Sequence, residues 1–298
     1  MQSTDYFPKE DEPCCLVIPA AGIGKRMRSV NPRMPKELLP VGNKPSIQYA
    51  VEEGLSAGIK YIVIIISRQK EIIRRYFEDK TFRRYVFPHA ADTMEKIDNE
   101  CAIVFRYQDE PRGESDAIHL VRDVIGDNAL FVVCPDNIYL PTPGALKALK
   151  AVFLQYGVDV TALMELRKYN AFRVSHSGRV DVQPMAENVY CIVCLHPKGQ
   201  GHFIPRFERE LRACGMYVSG SHLFDYIERA REKVKDGEFT DTPVRALIMK
   251  ERGLLGCLLP GSLFDIGNPK GYEICLQKIN TSTFSAEFFH NRGTTEQQ

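Results

Sequence analysis

The chain has 298 residues, 44% of them apolar and 26% charged, with a formal net charge of +1. Such values suit a globular protein with a substantial core and exclude a disordered chain or a global basic field for nucleic acid. No apolar run reaches membrane-span length, and the polar stretch 1–12 has no secretory h-region, so a cytoplasmic protein is expected. Nine scattered cysteines, an odd number, fit free thiols in a reducing compartment.

The first half alternates strand and helix. The patterns predict a strand at 14–20, a helix at 45–57, a strand at 61–67 and a helix at 69–77. Gly58 suits the helix end before the second strand. Residues 80–100 fit no regular pattern and read as a surface excursion, with Arg74, Arg75, Arg83 and Arg84 on a solvated basic face. A strand at 101–107, a helix at 113–124 and a strand at 129–134 follow. This alternation predicts a parallel sheet with helices on both faces.

A helix at 143–155 leads to a strand at 159–166. Short strand-like pieces at 171–176, 178–182 and 189–196 predict an antiparallel extension over the carboxyl edge of the sheet. A strand at 215–219, helices at 221–233 (Ser221 as N-cap) and 240–251, a strand at 254–259 and a helix at 268–278 complete the pattern. Without repeats or linkers, the expectation is one domain over 14–281, with polar tails at 1–13 and 282–298. Cys191 and Cys194 have metal-pair spacing, but they lie in an alternating run with no second pair, so strand packing is the favoured reading.

Ligands of open α/β sheets lie beyond the carboxyl ends of the strands. The first strand ends in Ala20-Ala-Gly-Ile-Gly-Lys-Arg26, where two glycines open the backbone and cations follow at Lys25, Arg26 and Arg28. Arg33 and Lys36 extend this charge, enough to face a triphosphate. Gln108–Gly113 follows the 101–107 strand, and Asp136 and Asp265 follow two others. A pair of carboxylates beside a phosphate loop suits Mg²⁺-assisted phosphoryl or nucleotidyl transfer. Asp136 alone equally suits an Asx-turn.

Together with Pro35–Pro40, Val41–Tyr49, Pro135–Asn137, Gly215–Val218 and Phe264–Tyr272, these segments resemble the sugar-1-phosphate nucleotidylyltransferases. The likeness is closest to the bacterial UTP–glucose-1-phosphate uridylyltransferases and runs from about Cys14 to Asn280. It implies a Rossmann-like three-layer α/β/α sandwich, with a mixed, mostly parallel central sheet and an antiparallel extension in the second half. It further implies a homodimer or homotetramer without nucleic-acid or membrane partners. The implied reaction uses Mg²⁺ to couple UTP, or another pyrimidine NTP, to glucose 1-phosphate or a related sugar phosphate, releasing pyrophosphate.

By that resemblance Ala20, Ala21, Gly22, Gly24 and Lys25 hold the nucleotide, while Arg26 and Lys36 bind its phosphates. Gln108, with Gly113, reads the base, and Asp136 and Asp265 hold the metal. His196, Lys198 and Gly215 face the sugar phosphate. The attacking sugar phosphate is already an oxyanion, so alignment and charge neutralisation suffice without a strong base.

The chain departs from the family at four places. Lys25 replaces a Thr, and Gly113-Glu-Ser-Asp-Ala117 stands for Gly-Leu-Gly-His-Ala, bringing Glu114, Ser115 and Asp116 near the base. Leu195-His-Pro197 stands for Glu-Lys-Pro, whose lysine grips the sugar phosphate; Lys198 lies on the same strand face as a replacement. The Glu-Ile-Gln-Leu-Thr-Asp segment shrinks to 238–243. Two alternatives follow from these departures and from the shared basic loop. One is a weak or inactive homologue serving as a nucleotide-binding subunit, and the other a cytidylyltransferase with a non-sugar acceptor.

Overall fold

The computed structural model describes residues 12–141, 143–234 and 237–290, except for the side chains of 91 and 281–290. Its nine-stranded sheet runs Ala102–Tyr107, Tyr61–Ile66, Cys15–Pro19, Leu130–Val133, Arg209–Ser219, Val160–Arg167, Leu255–Leu258, Val189–Leu195 and Val180–Ala186. The first four strands are mutually parallel, as are Val160–Arg167 and Leu255–Leu258. Arg209–Ser219 runs antiparallel to both neighbours, and the Val180–Ala186/Val189–Leu195 hairpin forms the antiparallel extension at one edge.

Strands buried on both faces read as continuous apolar runs, and Tyr61-Ile-Val-Ile-Ile-Ile66 is such a run. Alternate residues serve two cores. Leu16, Ile18, Ile62, Ile64, Phe131 and Val133 join one cluster, closed by helices Ser46–Ser56, Glu71–Glu78, Ala91–Glu100 and Ala145–Tyr156. Val17, Val63, Ile65, Leu130 and Val132 join the other, under helices Glu114–His119, Leu223–Arg231 and Thr242–Arg252. This is the expected three-layer α/β/α sandwich with a mixed, mostly parallel sheet. Among the described residues, no helix is long and apolar enough to cross a membrane.

Several local expectations fail. Residues 80–100 form two helices, Lys80–Val86 and Ala91–Glu100, that bury Phe87, Met94 and Ile97. Arg83 is not on a solvated face: it is 2% exposed and meets Asp98 at 2.7 Å. The 113–124 helix breaks into Glu114–His119 and Arg122–Ile125, and 171–176 holds only a 3₁₀ turn and one bridge. The strand ending at Ser219 begins at Arg209, and Ser221 makes no side-chain cap for the helix beginning at Leu223. The last helix runs Pro269–His290, beyond the expected 278 and into the stretch expected as a tail, while 1–11 and 291–298 lie outside the described residues.

One unforeseen pairing sets the site. Asn137–Leu140 runs antiparallel to Ser262–Asp265, with Asn137 opposite Asp265. The Ile266 amide also donates to the Asp136 carbonyl at 2.9 Å. This two-stranded ribbon carries both predicted metal-holding carboxylates to the same end of the sheet.

Truncating Arg83 to Ala would open a cavity and leave Asp98 with only Lys80, at 3.9 Å. Stability should fall by about 1–3 kcal/mol, read by denaturant unfolding, because the buried guanidinium's packing and its bonds to Asp98 are lost. Steady-state kinetics should be unchanged, since Arg83 does not line the cleft described next.

Candidate active site

A cleft of about 690 Å³ opens at the carboxyl ends of the parallel strands. Of the predicted residues, Ala21, Gly22, Gly24, Lys25, Arg26, Lys36, Gln108, Gly113, Asp136, His196, Lys198, Gly215 and Asp265 all line it. Ala20 does not. It is 1% exposed, its amide donates to Ile65 and its carbonyl accepts from Lys70, so it has no backbone group to offer a nucleotide. Arg28 and Arg33 also lie outside the lining, so the loop's cleft charge comes from Lys25, Arg26 and Lys36.

The phosphate loop is held from below by residues the sequence reading missed. Lys70 Nζ donates to both Glu37 oxygens, at 2.9 and 2.8 Å, and to the Ala20 carbonyl at 2.8 Å. All three ammonium hydrogens are thereby used. Ser46 Oγ donates to the carbonyls of Lys36 and Glu37 at 3.1 and 3.0 Å. Burial pushes the Lys70 ammonium below its usual value, against the opposing charge of Glu37.

With the loop fixed, Lys36 Nζ reaches Asp136 Oδ2 at 2.5 Å. Burial disfavours both charges, but each outweighs it for the other. Lys36 is held above the ordinary lysine value and Asp136 below the ordinary carboxylate value, with Arg26 also favouring the Asp136 anion. The pair is therefore ionised across the neutral range.

Asp265 is 4% exposed and accepts from the Ser175 amide at 2.9 Å, the Ser175 hydroxyl and the Gly267 amide at 3.0 Å. A Cβ on Gly267 would lie 2.6 Å from Asp136 Oδ2 and 3.1 Å from Asp265 Oδ1. The bare glycine thus keeps one small volume open to both carboxylates. Two hard oxygen donors beside a cationic phosphate loop are a donor set that fits Mg²⁺.

At the other wall, Gln108 is 5% exposed, and its Nε2 donates to the Gly113 carbonyl at 3.0 Å and to Asp116 Oδ2 at 3.1 Å. With both amide hydrogens directed at oxygens, the amide presents Oε1 as its remaining group. Gly113 has φ +123°, and a Cβ there would fall 2.4 Å from the Phe239 carbonyl oxygen. Ser115 does not crowd the base position as its alignment with a family glycine suggested. It is buried, with its hydroxyl on the Thr240 carbonyl at 3.0 Å, outside the cleft lining. Asp116 also lies outside the lining and pairs with Arg231 at 3.0 Å.

Glu114 does face the cleft. Burial, followed by the neighbouring Asp241, pushes its carboxyl up to about 8. Cys134 donates its thiol to Glu114 Oε1 at 3.3 Å, and burial beside Glu114 and Asp136 raises that thiol well above its usual range. Burial thus disfavours the Cys134 thiolate. The Gly215 carbonyl accepts from the Cys134 amide at 2.7 Å, closing the cleft floor.

His196 reaches the cleft but is engaged, with Nε2 2.9 Å from Asp181 Oδ2. Lys198 is exposed beside it. Arg179 and Arg212 also line this end and escaped the sequence reading; Arg212 is held by the Ser177 carbonyl at 2.8 Å. Cys194 does not pair with Cys191. Its sulfur lies with Asp181 and His196, all ligand atoms within 4.8 Å of one another, but Arg206 already occupies Asp181 at 2.6 Å.

A cationic glycine loop, two convergent carboxylates and a buried glutamine amide share one cleft at the strand ends. The chain matches the nucleotidyl transferase family over residues 16–282, and it belongs to that family. Curated relatives include the UTP–glucose-1-phosphate uridylyltransferase of Pseudomonas aeruginosa, 29% identical, covering 94% of this chain and 98% of that protein. Another is the UTP–glucose-1-phosphate uridylyltransferase YngB of Bacillus subtilis, 30% identical, covering 86% and 85%. Among solved structures, a UDP-glucose pyrophosphorylase complexed with UDP-glucose shares the fold at TM-score 0.75 and 23% identity, covering 91% of this chain and 99% of that one. UTP-bound UGPase from Acinetobacter baumannii aligns at TM-score 0.74 and 19% identity, covering 95% and 100%. The protein is thus a nucleotidyl-transferring enzyme with relatives that act on sugar 1-phosphates.

The raised Glu114 carboxyl makes stability pH-dependent. Between its unfolded value near the ordinary 4.5 and its folded value of about 8, the folded state holds a proton that the unfolded state has lost. Stability therefore falls as pH rises through this window. Glu114→Gln removes the effect, so its melting-temperature advantage over wild type should grow from about pH 5 to about pH 8. A constant difference between the two proteins would contradict the assignment.

Proposed function

We propose that this protein couples UTP to glucose 1-phosphate, forming UDP-glucose and pyrophosphate. The observation that carries this reading is the convergence of the Gly22–Arg26 loop, Lys36, Gln108, Asp136 and Asp265 on one cleft. An oxygen of the sugar phosphate attacks the α-phosphorus of UTP, and the bond to the bridging β-oxygen breaks as pyrophosphate leaves. Lys25 and Arg26 neutralise the departing β- and γ-phosphates, and Lys36 exchanges Asp136 for an α-phosphate oxygen. Asp136 and Asp265 would hold Mg²⁺, which supplies charge neutralisation at the phosphates when bound.

The free Oε1 of Gln108 is an acceptor, and uracil N3–H is a donor. Cytosine offers an acceptor at that position, so this geometry disfavours CTP and the cytidylyltransferase alternative. Lys198, an exposed cation lining the cleft two residues beyond the engaged His196, would take the sugar phosphate. We further assign the enzyme to the cytoplasm, which its nine free thiols suit, and to a homodimer or homotetramer as the family resemblance implies.

Pyrophosphate release should be measured across UTP, dTTP and CTP, each with several sugar phosphates and Mg²⁺. Turnover should appear with UTP, and none with CTP. Silence with every pair, alongside nucleotide binding by calorimetry, would instead support the inactive-homologue reading.

Asp136→Ala should lower kcat/KM by about a thousandfold, a loss of roughly 4 kcal/mol of charge stabilisation. Lys198→Ala should raise the sugar-phosphate KM roughly tenfold with little change in the UTP KM, as expected for one lost charge-assisted contact. An unchanged KM would remove Lys198 from the site.

A further inference from the structure

The buried and half-buried acids of the cleft have partners, with one exception. Asp136 has Lys36, Glu37 has Lys70, Asp241 has Arg245, and Asp265 has Ser175 and the Gly267 amide. Glu114, the first residue of helix Glu114–His119, has only the weak thiol donor of Cys134 on one oxygen. Arg245, from helix Thr242–Arg252, lines the same cleft, is 6% exposed and lies close enough for its charge to act on Glu114. Arg245 Nη1 donates to Asp241 Oδ2 at 3.2 Å, but its Nη2 is buried with no hydrogen-bond partner.

A buried guanidinium nitrogen without a partner costs free energy, and so does a half-satisfied carboxyl. Two such groups in one cleft are complementary to a ligand that presents a hydrogen-bond donor beside an acceptor. Neither is explained by the nucleotide, because the phosphates face Lys25, Arg26 and Lys36 and the base faces Gln108. Adjacent substituents of a sugar ring supply this pattern: one hydroxyl or ammonium donates, and the neighbouring oxygen accepts.

We infer that Glu114 and Arg245 are specificity-determining residues that read the sugar ring of the acceptor, Glu114 taking a donor substituent and Arg245 Nη2 a neighbouring oxygen. This rests on the sugar 1-phosphate reading above and deepens it. The acceptor class is a sugar 1-phosphate with an unblocked donor group next to an oxygen, not a deoxy sugar at that position. An exposed surface acid would carry no such selectivity, whereas a buried polar pair rejects the analogue that leaves it unpaired.

The test is a panel of glucose 1-phosphate, its monodeoxy analogues and amino-sugar 1-phosphates, assayed with UTP on wild type, Glu114→Leu and Glu114→Gln. Wild type should discriminate against one deoxy position by about 10- to 100-fold in kcat/KM. Glu114→Leu should lose that discrimination, with its acceptor KM raised and its UTP KM within about twofold of wild type. Glu114→Gln, which keeps an acceptor oxygen, should retain most of it. Preference for the amino sugar in wild type alone identifies an ammonium donor; preference for the hydroxylated sugar identifies a hydroxyl. Equal discrimination by wild type and Glu114→Leu across the panel overturns the inference while leaving the proposed reaction standing. Absence of wild-type turnover with every pair overturns both. A loss of kcat shared equally by all acceptors would mark Glu114 as structural and also overturn it.

Discussion

The cleft depends on a buried ion pair beneath its glycine loop. Glu37 is 1% exposed and Lys70 is 7% exposed, yet the pair lies directly beneath the phosphate loop. Removing two charges from water costs several kcal/mol each, and only good geometry with further hydrogen bonds returns it. Here all three ammonium hydrogens are taken, two by Glu37 and one by the Ala20 carbonyl where the first strand ends. The bond to Ala20 ties the strand end to the Pro35–Pro40 segment. Lys36, the residue before Glu37, is thereby aimed at Asp136.

From that anchor the electrostatics of the site follow. Lys36 and Asp136 keep each other ionised in a half-buried position, so the cation is present before substrate arrives. Lys25 and Arg26 are exposed in the cleft lining, open to the polyphosphate of the proposed reaction. Asp265 is held in place by Ser175 and the Gly267 amide rather than by a cation, as the proposed metal site requires. The proposed reaction needs no nucleophilic side chain and no strong base, because the attacking sugar phosphate is already an oxyanion. Charge placed in advance costs no reorganisation at the moment of reaction.

Much of this was legible in the sequence. Strand-to-loop junctions locate ligand sites in α/β folds, so Lys25, Arg26, Gln108, Asp136 and Asp265 could be named from their places after apolar runs. Their convergence depended on the ribbon of Asn137–Leu140 with Ser262–Asp265, two four-residue segments too short for a pattern. Lys70 and Glu37 were not legible either, because a charged residue one position off an apolar stripe reads as surface. Arg83 failed for the same reason. Ala20 falls outside the cleft lining: small residues in a turn look available when their backbone groups are already bonded. Ser115 was misjudged because alignment places residues without saying where their side chains turn.

The most direct measurement of the central claim is a double-mutant cycle on Glu37 and Lys70, read by unfolding free energy and by UTP kinetics. Lys70→Met alone should cost about 3–5 kcal/mol, because it strands a buried carboxylate, whereas Glu37→Leu with Lys70→Met should recover most of that loss. The recovered double variant should still show a reduced kcat/KM for UTP, because the tie from the loop to the Ala20 carbonyl is gone. A Lys70→Met enzyme as stable as wild type, with unchanged UTP kinetics, would contradict the account.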